Sequence, residues 1–324
     1  LEANARASVA IVWDGKGPSG ASFTNRNNAL GMQVPHGDAE QEELARRILA
    51  LAAPGEADPE LVRLLVEEAP ARLAELEAWG LPFQRNDKGQ IPRLPGCFTP
   101  DLATAVIFSP LARAWEALRT RFLALGGEWW PGLSIRGLLQ DSQGVGGVLA
   151  SDEQGRDTLL GAPVTVLALG GPAPLFGPLG QRLVASSPVA SVQAGRGISY
   201  GLLRLAGAEI LHAGFLQFMW YNVTTWRFFP IQSLCSPAWR ARTTGGWETM
   251  PECLWPLAGE RGGHCPVAYG LKDAALDQWA LRHLDEDGIL TVQGPQEPAG
   301  ETRLAVLAHA GNGGARINAW GETG

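Results

Sequence analysis

An α/β fold is what this sequence predicts, and three stretches predict it. Residues 163–176, PVTVLALGGPAPLF, hold a β-rich apolar run, 164–169, that stops at Gly170-Gly171. A run of that length suits a buried strand and is short for a helix. Residues 8–14, SVAIVWD, read as a second buried strand that ends in an acid and meets the loop Gly15-Lys16-Gly17-Pro18-Ser19-Gly20. A second glycine cluster, AGRGISYGLLRLAGAEI (194–210), opens a helix-like segment and leads to FLQF (215–218). Paired glycines let backbone come close to a neighbour where a side chain would obstruct.

The remaining elements follow in order. Residues 38–51 and 58–79 read as amphipathic helices, the second with Leu61, Leu64, Leu65, Ala69, Leu73 and Leu76 as its apolar stripe. Their charged residues predict a solvated face. Residues 111–125 form another helix, ended by Gly126-Gly127. From 129 to 149 a short meander is expected: a strand, the turn DSQG (141–144), then a strand over 145–149. After Phe218 the character changes. Trp220, Trp226, Trp239, Trp247 and Trp255 interleave with Arg227, Arg240, Arg242 and Arg261 among frequent prolines and glycines. A returning strand over 301–307 then precedes HAGNGGARINAWGETG.

Composition bounds the function. The chain has 324 residues, with 45% hydrophobic and 18% charged residues, which suits one large or two moderate globular domains. A net charge of −7 and the lack of a Lys/Arg run argue against broad nucleic-acid binding. No apolar stretch reaches the roughly 18 residues of a membrane span. Leu1-Glu2-Ala3-Asn4 does not resemble a signal peptide, and the leading Leu implies that the start lies elsewhere or was processed. The cysteines Cys97, Cys235, Cys253 and Cys265 show no CxxC spacing, so scattered buried thiols in a cytoplasmic, reducing setting are expected. His264-Cys265 with Cys253 is the one weak alternative for a metal, and no metal is expected.

An acid closing the second strand of a dinucleotide-binding fold hydrogen-bonds the adenosine ribose, and Asp14 has that place. Four further matches occur in order: Ala168-Leu169-Gly170-Gly171, Gly195-Arg196-Gly197, Ala206-Gly207-Ala208 and Gln217-Phe218. With 126–171 they resemble the central part of the succinate dehydrogenase, fumarate reductase and L-aspartate oxidase flavoproteins. The resemblance implies a FAD-binding Rossmann-like domain with an inserted α+β capping domain: 1–218 and 301–324 for the first, 219–300 for the cap. It implies FAD as cofactor, held by Asp14, Gly20, Ser22, Phe23 and Gly31 in the strand and following loop, Ile135 beside the adenine, Ala168, Gly170 and Gly171 at the strand end, and Arg196. It implies hydride transfer between an organic, carboxylate-bearing substrate and the flavin. His309 and the cap arginines, Arg227 and Arg242 foremost, are the expected catalytic residues. Partners implied are that small-molecule substrate and a second polypeptide that completes the FAD site or accepts electrons.

The departures from the family pattern are specific. The Gly-x-Gly-x-x-Gly strand and helix that open the family, and its last flavin motif, have no counterpart. LEANARA resembles the tail of that first helix, so the expectation is an internal piece, a processed chain or one partner of a split protein. Asn27-Asn28 stand where glycines are usual. Met219-Trp220-Tyr221 replace His-Pro-Thr, and Arg196 replaces an acid. The competing expectation is a non-catalytic structural subunit with a degenerate flavoprotein fold.

Overall fold

The structure is a computed structural model. It describes residues 7–15, 17–20, 22–23, 27–52, 57–96, 99, 101–170, 197–213, 216–225, 227–263, 272–295, 300–310 and 314–323, with backbone alone at 216–219 and 307–310. Gly171, Arg196, Cys97, Cys265, His264 and LEANAR lie outside them.

Strand β1, Ala10–Trp13, pairs in parallel with β4, Glu128–Pro131. Between them run β2 (Leu30–Gln33), helices α1 (Gly37–Leu51) and α2 (Pro59–Ala78), β3 (Ala105–Phe108), antiparallel to β2, and α3 (Leu111–Ala124). The α2 start is written locally: Asp58 accepts from Glu60 N at 2.8 Å and Pro59 opens the helix. Its buried stripe is the expected one only in part: Ala69 is buried and Leu73 and Leu76 pack against the core of β2, β3 and α3. Val62, Val66 and Ala69 turn inward, while Leu64 and Leu65 are exposed. The reason is the partner: Val62 and Val66 pack on Leu44 and Ala45 of α1, and that contact selects the face.

Aromatic packing fixes α3 to the parallel pair. Trp129 meets Trp13, Trp115 and Phe122 at centroid distances of 5.5, 5.9 and 6.5 Å. The Arg119 guanidinium lies 5.7 Å from the Trp115 ring and 5.8 Å from that of Trp129. A Cβ on Gly127 would fall 2.3 Å from the Phe122 ring, which would have to shift to admit it.

The meander has one strand more than expected. Residues 128–131 belong with β1, and an antiparallel sheet follows of β5 (Ser134–Asp141), β6 (Gly144–Ser151) and β7 (Asp157–Gly161). The expected turn is in place, with Gln143 N donating to Asp141 Oδ1 at 2.7 Å. The strand expected at 164–169 is absent: no strand is assigned there, and Val164 and Val166 are 77% and 84% exposed. A strand needs a neighbour for its N–H and C=O groups, and no described residue pairs with this run.

Helix α4, Ile198–Leu205, starts at Gly197 with φ 69°. Strand β8 (Ile210–Leu211) pairs with β15 (Gly314–Ala315). The remaining strands form a six-stranded antiparallel sheet: β9 (Leu216–Asn222), β10 (Phe228–Phe229), β11 (Arg240–Thr243), β12 (Gly246–Glu248), β13 (Ile289–Gln293) and β14 (Glu301–Ala310), in the order β10-β9-β14-β13-β11-β12. The expected return strand is thus a member of this sheet, paired with β9 from Leu304↔Asn222 to Ala310↔Leu216. Helix α5 (Leu257–Gly262) follows β12, and Trp220, Ala241, Leu290, Val292, Leu304 and Val306 point into one core with Leu276 and Ala280 of helix α6 (Ala274–Leu281).

Candidate functional site: a dinucleotide edge and a capping sheet

Three groups of expected residues can be placed. The first is at the carboxyl end of β1. The Trp13 carbonyl accepts from Leu133 N at 3.1 Å, which sets the exposed Asp14 carboxylate beside the start of β5, where Ile135 lies half-buried. Trp13 Nε1 donates to Gly17 O at 3.2 Å and folds the glycine loop back over the strand end. Gly20 has φ 75° and its carbonyl accepts from Phe23 N, so Gly20, Ser22 and Phe23 share one turn. Gly31 is exposed in β2.

Asn28 explains one departure. It sits at φ 49°, a left-handed conformation that Asn tolerates better than most residues. Its Oδ1 accepts from Leu111 N at 2.9 Å at the start of α3. Asparagine therefore supplies both the turn and a helix cap that glycine could not. Sequence reading missed this role, and αL-tolerant Asn before a helical stretch was its only trace.

The second group joins the two glycine clusters. Gly170 has φ 79°, and its carbonyl accepts from Ser199 Oγ of α4 at 2.8 Å. Arg316, just after β15, forms an ion pair with Glu209 at 2.5 Å. Residues 170, 197–211 and 314–316 are so linked. Ala168 is exposed just before Gly170.

The third group is on and around the six-stranded sheet, over the span expected as the cap. Arg261, expected among the substrate-facing arginines, is 5% exposed and bonded to Asp273 and Asp277. It is committed to the interior because two buried carboxylates need its charge. Trp220, at the place of the lost His-Pro-Thr, joins the same network by donating to Asp277 Oδ1. Arg227 is exposed in the β9–β10 turn, and Arg240 and Arg242 are exposed on β11. His309 is in β14 opposite Gln217. The register separates these residues. Arg242 lies in the cross-strand row of Arg303, six residues before His309 and so about 20 Å along the sheet. Arg227 stands opposite Asn222, in the row of Leu304, about 17 Å from His309. A cavity of about 630 Å³ opens between α2 and α3, lined by Trp79, Arg113, Glu116 and Thr120, and it takes in none of the expected site residues.

A parallel strand pair with an acid at its carboxyl end, glycine turns around it and a large antiparallel sheet further along the chain define an α/β protein. The chain belongs to the FAD binding domain family, whose model matches residues 3–231. The L-aspartate oxidase of Caulobacter vibrioides is 33% identical over 183 residues, 52% of this chain and 31% of that protein. The fold is shared with the Sdh1 complex of Mycobacterium smegmatis, at a TM-score of 0.63 and 16% identity, covering 97% of this chain and 57% of that one. It is shared also with an E. coli quinol fumarate reductase chain, at 0.58 and 16%, covering 97% and 58%. The chain thus spans between a third and three fifths of these relatives' lengths. The family's cofactor is FAD, and the residues expected on its adenosine side have chemistry compatible with it: an exposed carboxylate, an adjacent apolar Ile135 and a glycine turn. Among the described residues, no helix is long and apolar enough to cross a membrane, and no group of three metal-binding side chains occurs.

Proposed function

We propose that this chain is the flavin-binding and capping part of a FAD-dependent oxidoreductase acting on a carboxylate-bearing organic substrate. The observation that carries the proposal is the Trp13–Leu133 hydrogen bond, which sets Asp14 beside the Ile135 strand. Asp14 accepts the ribose hydroxyls, Ile135 covers the adenine, and Gly20, Ser22, Phe23 and Gly31 wrap the diphosphate side. Ala168, Gly170, Gly171 and Arg196 serve the flavin side. FAD, when bound, supplies the hydride chemistry, and the protein orients the substrate and excludes water. His309 is the proposed hydrogen-bonding residue on the substrate side. Arg227 and Arg242 lie too far along the sheet for one small substrate to touch them and His309 together. Their proposed part is limited to the field they add to the cap.

The test is binding. Flavin released from the purified protein by denaturation should be FAD; FMN would overturn the reading. Asp14→Ala should weaken FAD binding about tenfold or more, as expected for a lost charge-assisted hydrogen bond. A second reading, a structural subunit, is favoured by Trp220, which is committed to the interior where the family has a substrate-contacting histidine segment. Protein that lacks flavin yet co-purifies with a second polypeptide would select it.

A further inference from the structure

The outer face of the six-stranded sheet carries arginines that neither the cofactor nor the core uses. Ala241, Val292, Leu290 and Leu304 point to the core at 0–1% exposure. Arg240, Arg242, Thr291, Gln293 and Arg303 alternate with them and so lie on the opposite face, which is covered one row further on, where Ala305 and Tyr221 are buried. On this face Arg242 pairs across β12 with Trp247, and the β11–β13 register sets it beside Thr291, which pairs with Arg303. The next row on the same face is Arg240, Gln293 and Glu301. Arg240, Arg242 and Arg303 are exposed and have no carboxylate partner among the described residues. With Glu301 as the one acid in these rows, the patch is locally positive on a chain of net charge −7. Arg242 is held over Trp247, its guanidinium carbon 5.5 Å from the ring centroid. A cation already positioned loses less freedom on meeting an anion.

We propose that this face docks an acidic, extended segment of a second polypeptide. Arg240 and Arg242 are two residues apart on one strand, about 7 Å, the repeat of alternate side chains on an extended peptide. Arg303 lies two strand spacings from Arg242, about 10 Å, so carboxylates on two sides of such a segment meet cations. Half-buried Thr291 and Gln293 lie between them and supply hydrogen-bonding groups. An open sheet face buries little of a small anion, whereas a polypeptide covers the whole patch. Nucleic acid fits less well, because the Trp247 ring that could stack on a base already faces Arg242.

The probe is a fluorescein-labelled peptide of alternating Glu and Thr, followed by anisotropy with the whole chain at low and high salt. Binding should weaken with salt, and should fall about tenfold or more in Arg242→Glu/Arg303→Glu, with Arg242→Lys/Arg303→Lys retaining most of it. Arg240→Glu gives an independent reading should the double variant fail to fold, as judged by circular dichroism. Equal binding by wild type and charge-reversed protein would overturn the proposal. So would tighter binding of a single-stranded oligonucleotide, or displacement of the peptide by inorganic phosphate at matched charge. Flavin content is measured in parallel: unchanged flavin with lost peptide binding separates this proposal from the cofactor assignment.

Discussion

Trp220 Nε1 donates to Asp277 Oδ1 at 2.7 Å, and this bond ties β9 to α6 at the centre of the cap. Arg261 completes the group by reaching Asp273 and Asp277, all three charged residues being 1–5% exposed. One guanidinium thus serves two buried carboxylates. The arrangement makes the cap interior depend on a polar cluster as much as on its apolar residues.

Arg261→Met should destabilise the cap by about 3–5 kcal/mol, because two buried carboxylates lose their cation. Asp277→Asn should cost much less, since Arg261 and Asp273 then form a one-to-one pair. Urea unfolding of the two variants checks the order; equal losses would contradict it.

The same carboxylate predicts a pH dependence. Burial pushes the Asp277 carboxyl above its ordinary range, outweighing the opposing pull of Arg261. A carboxyl raised on folding contributes stability below its unfolded value and loses it as pH rises through the folded one. Asn at 277 mimics the protonated form. The stability of Asp277→Asn relative to wild type should therefore improve as pH rises from the acid range toward neutral. A difference constant with pH would refute this.

Gly147→Ala should disrupt the β5-β6-β7 sheet. Gly147 has φ 143°, and a Cβ there would lie 2.1 Å from the Leu160 carbonyl oxygen. The β6–β7 ladder must open to admit it, a cost of about 1–3 kcal/mol. Thermal unfolding measures it, with Gly146→Ala, which meets nothing within 4 Å, as the control.

At Asn28 two effects separate. Asn28→Gly keeps the left-handed turn and loses the bond to Leu111 N, which should cost about 1 kcal/mol. Asn28→Val loses both and should cost about 1–3 kcal/mol more, because a β-branched residue is strained at positive φ. Chemical denaturation of both variants distinguishes the contributions.

Much of this was legible where the determinants are local. Asp58-Pro59 marks the start of α2, Asp141-Ser142-Gln143-Gly144 marks a turn, and Gly170 and Gly197 sit at positive φ beside each other's segments. Non-local determinants were not legible. Whether 164–169 is a strand depends on a neighbour elsewhere in space. The stripe of α2 depends on α1. Arg261 gave no sign of burial, since its partners are 12 and 16 residues away with no periodic pattern to announce them. The separation of Arg242 from His309 follows from a register that only the folded ladder sets.

The seven paired positions of β9 and β14 have a topological consequence. The chain enters the six-stranded sheet on one strand and leaves on its immediate antiparallel neighbour, so residues 216 and 310 stand face to face. Everything between them closes as a cassette on a two-stranded stem. Such a unit can be lengthened, exchanged or excised with its ends already juxtaposed, while the dinucleotide edge around Asp14 remains on a different part of the chain. Variation within the sheet is thereby uncoupled from the parallel strands β1 and β4.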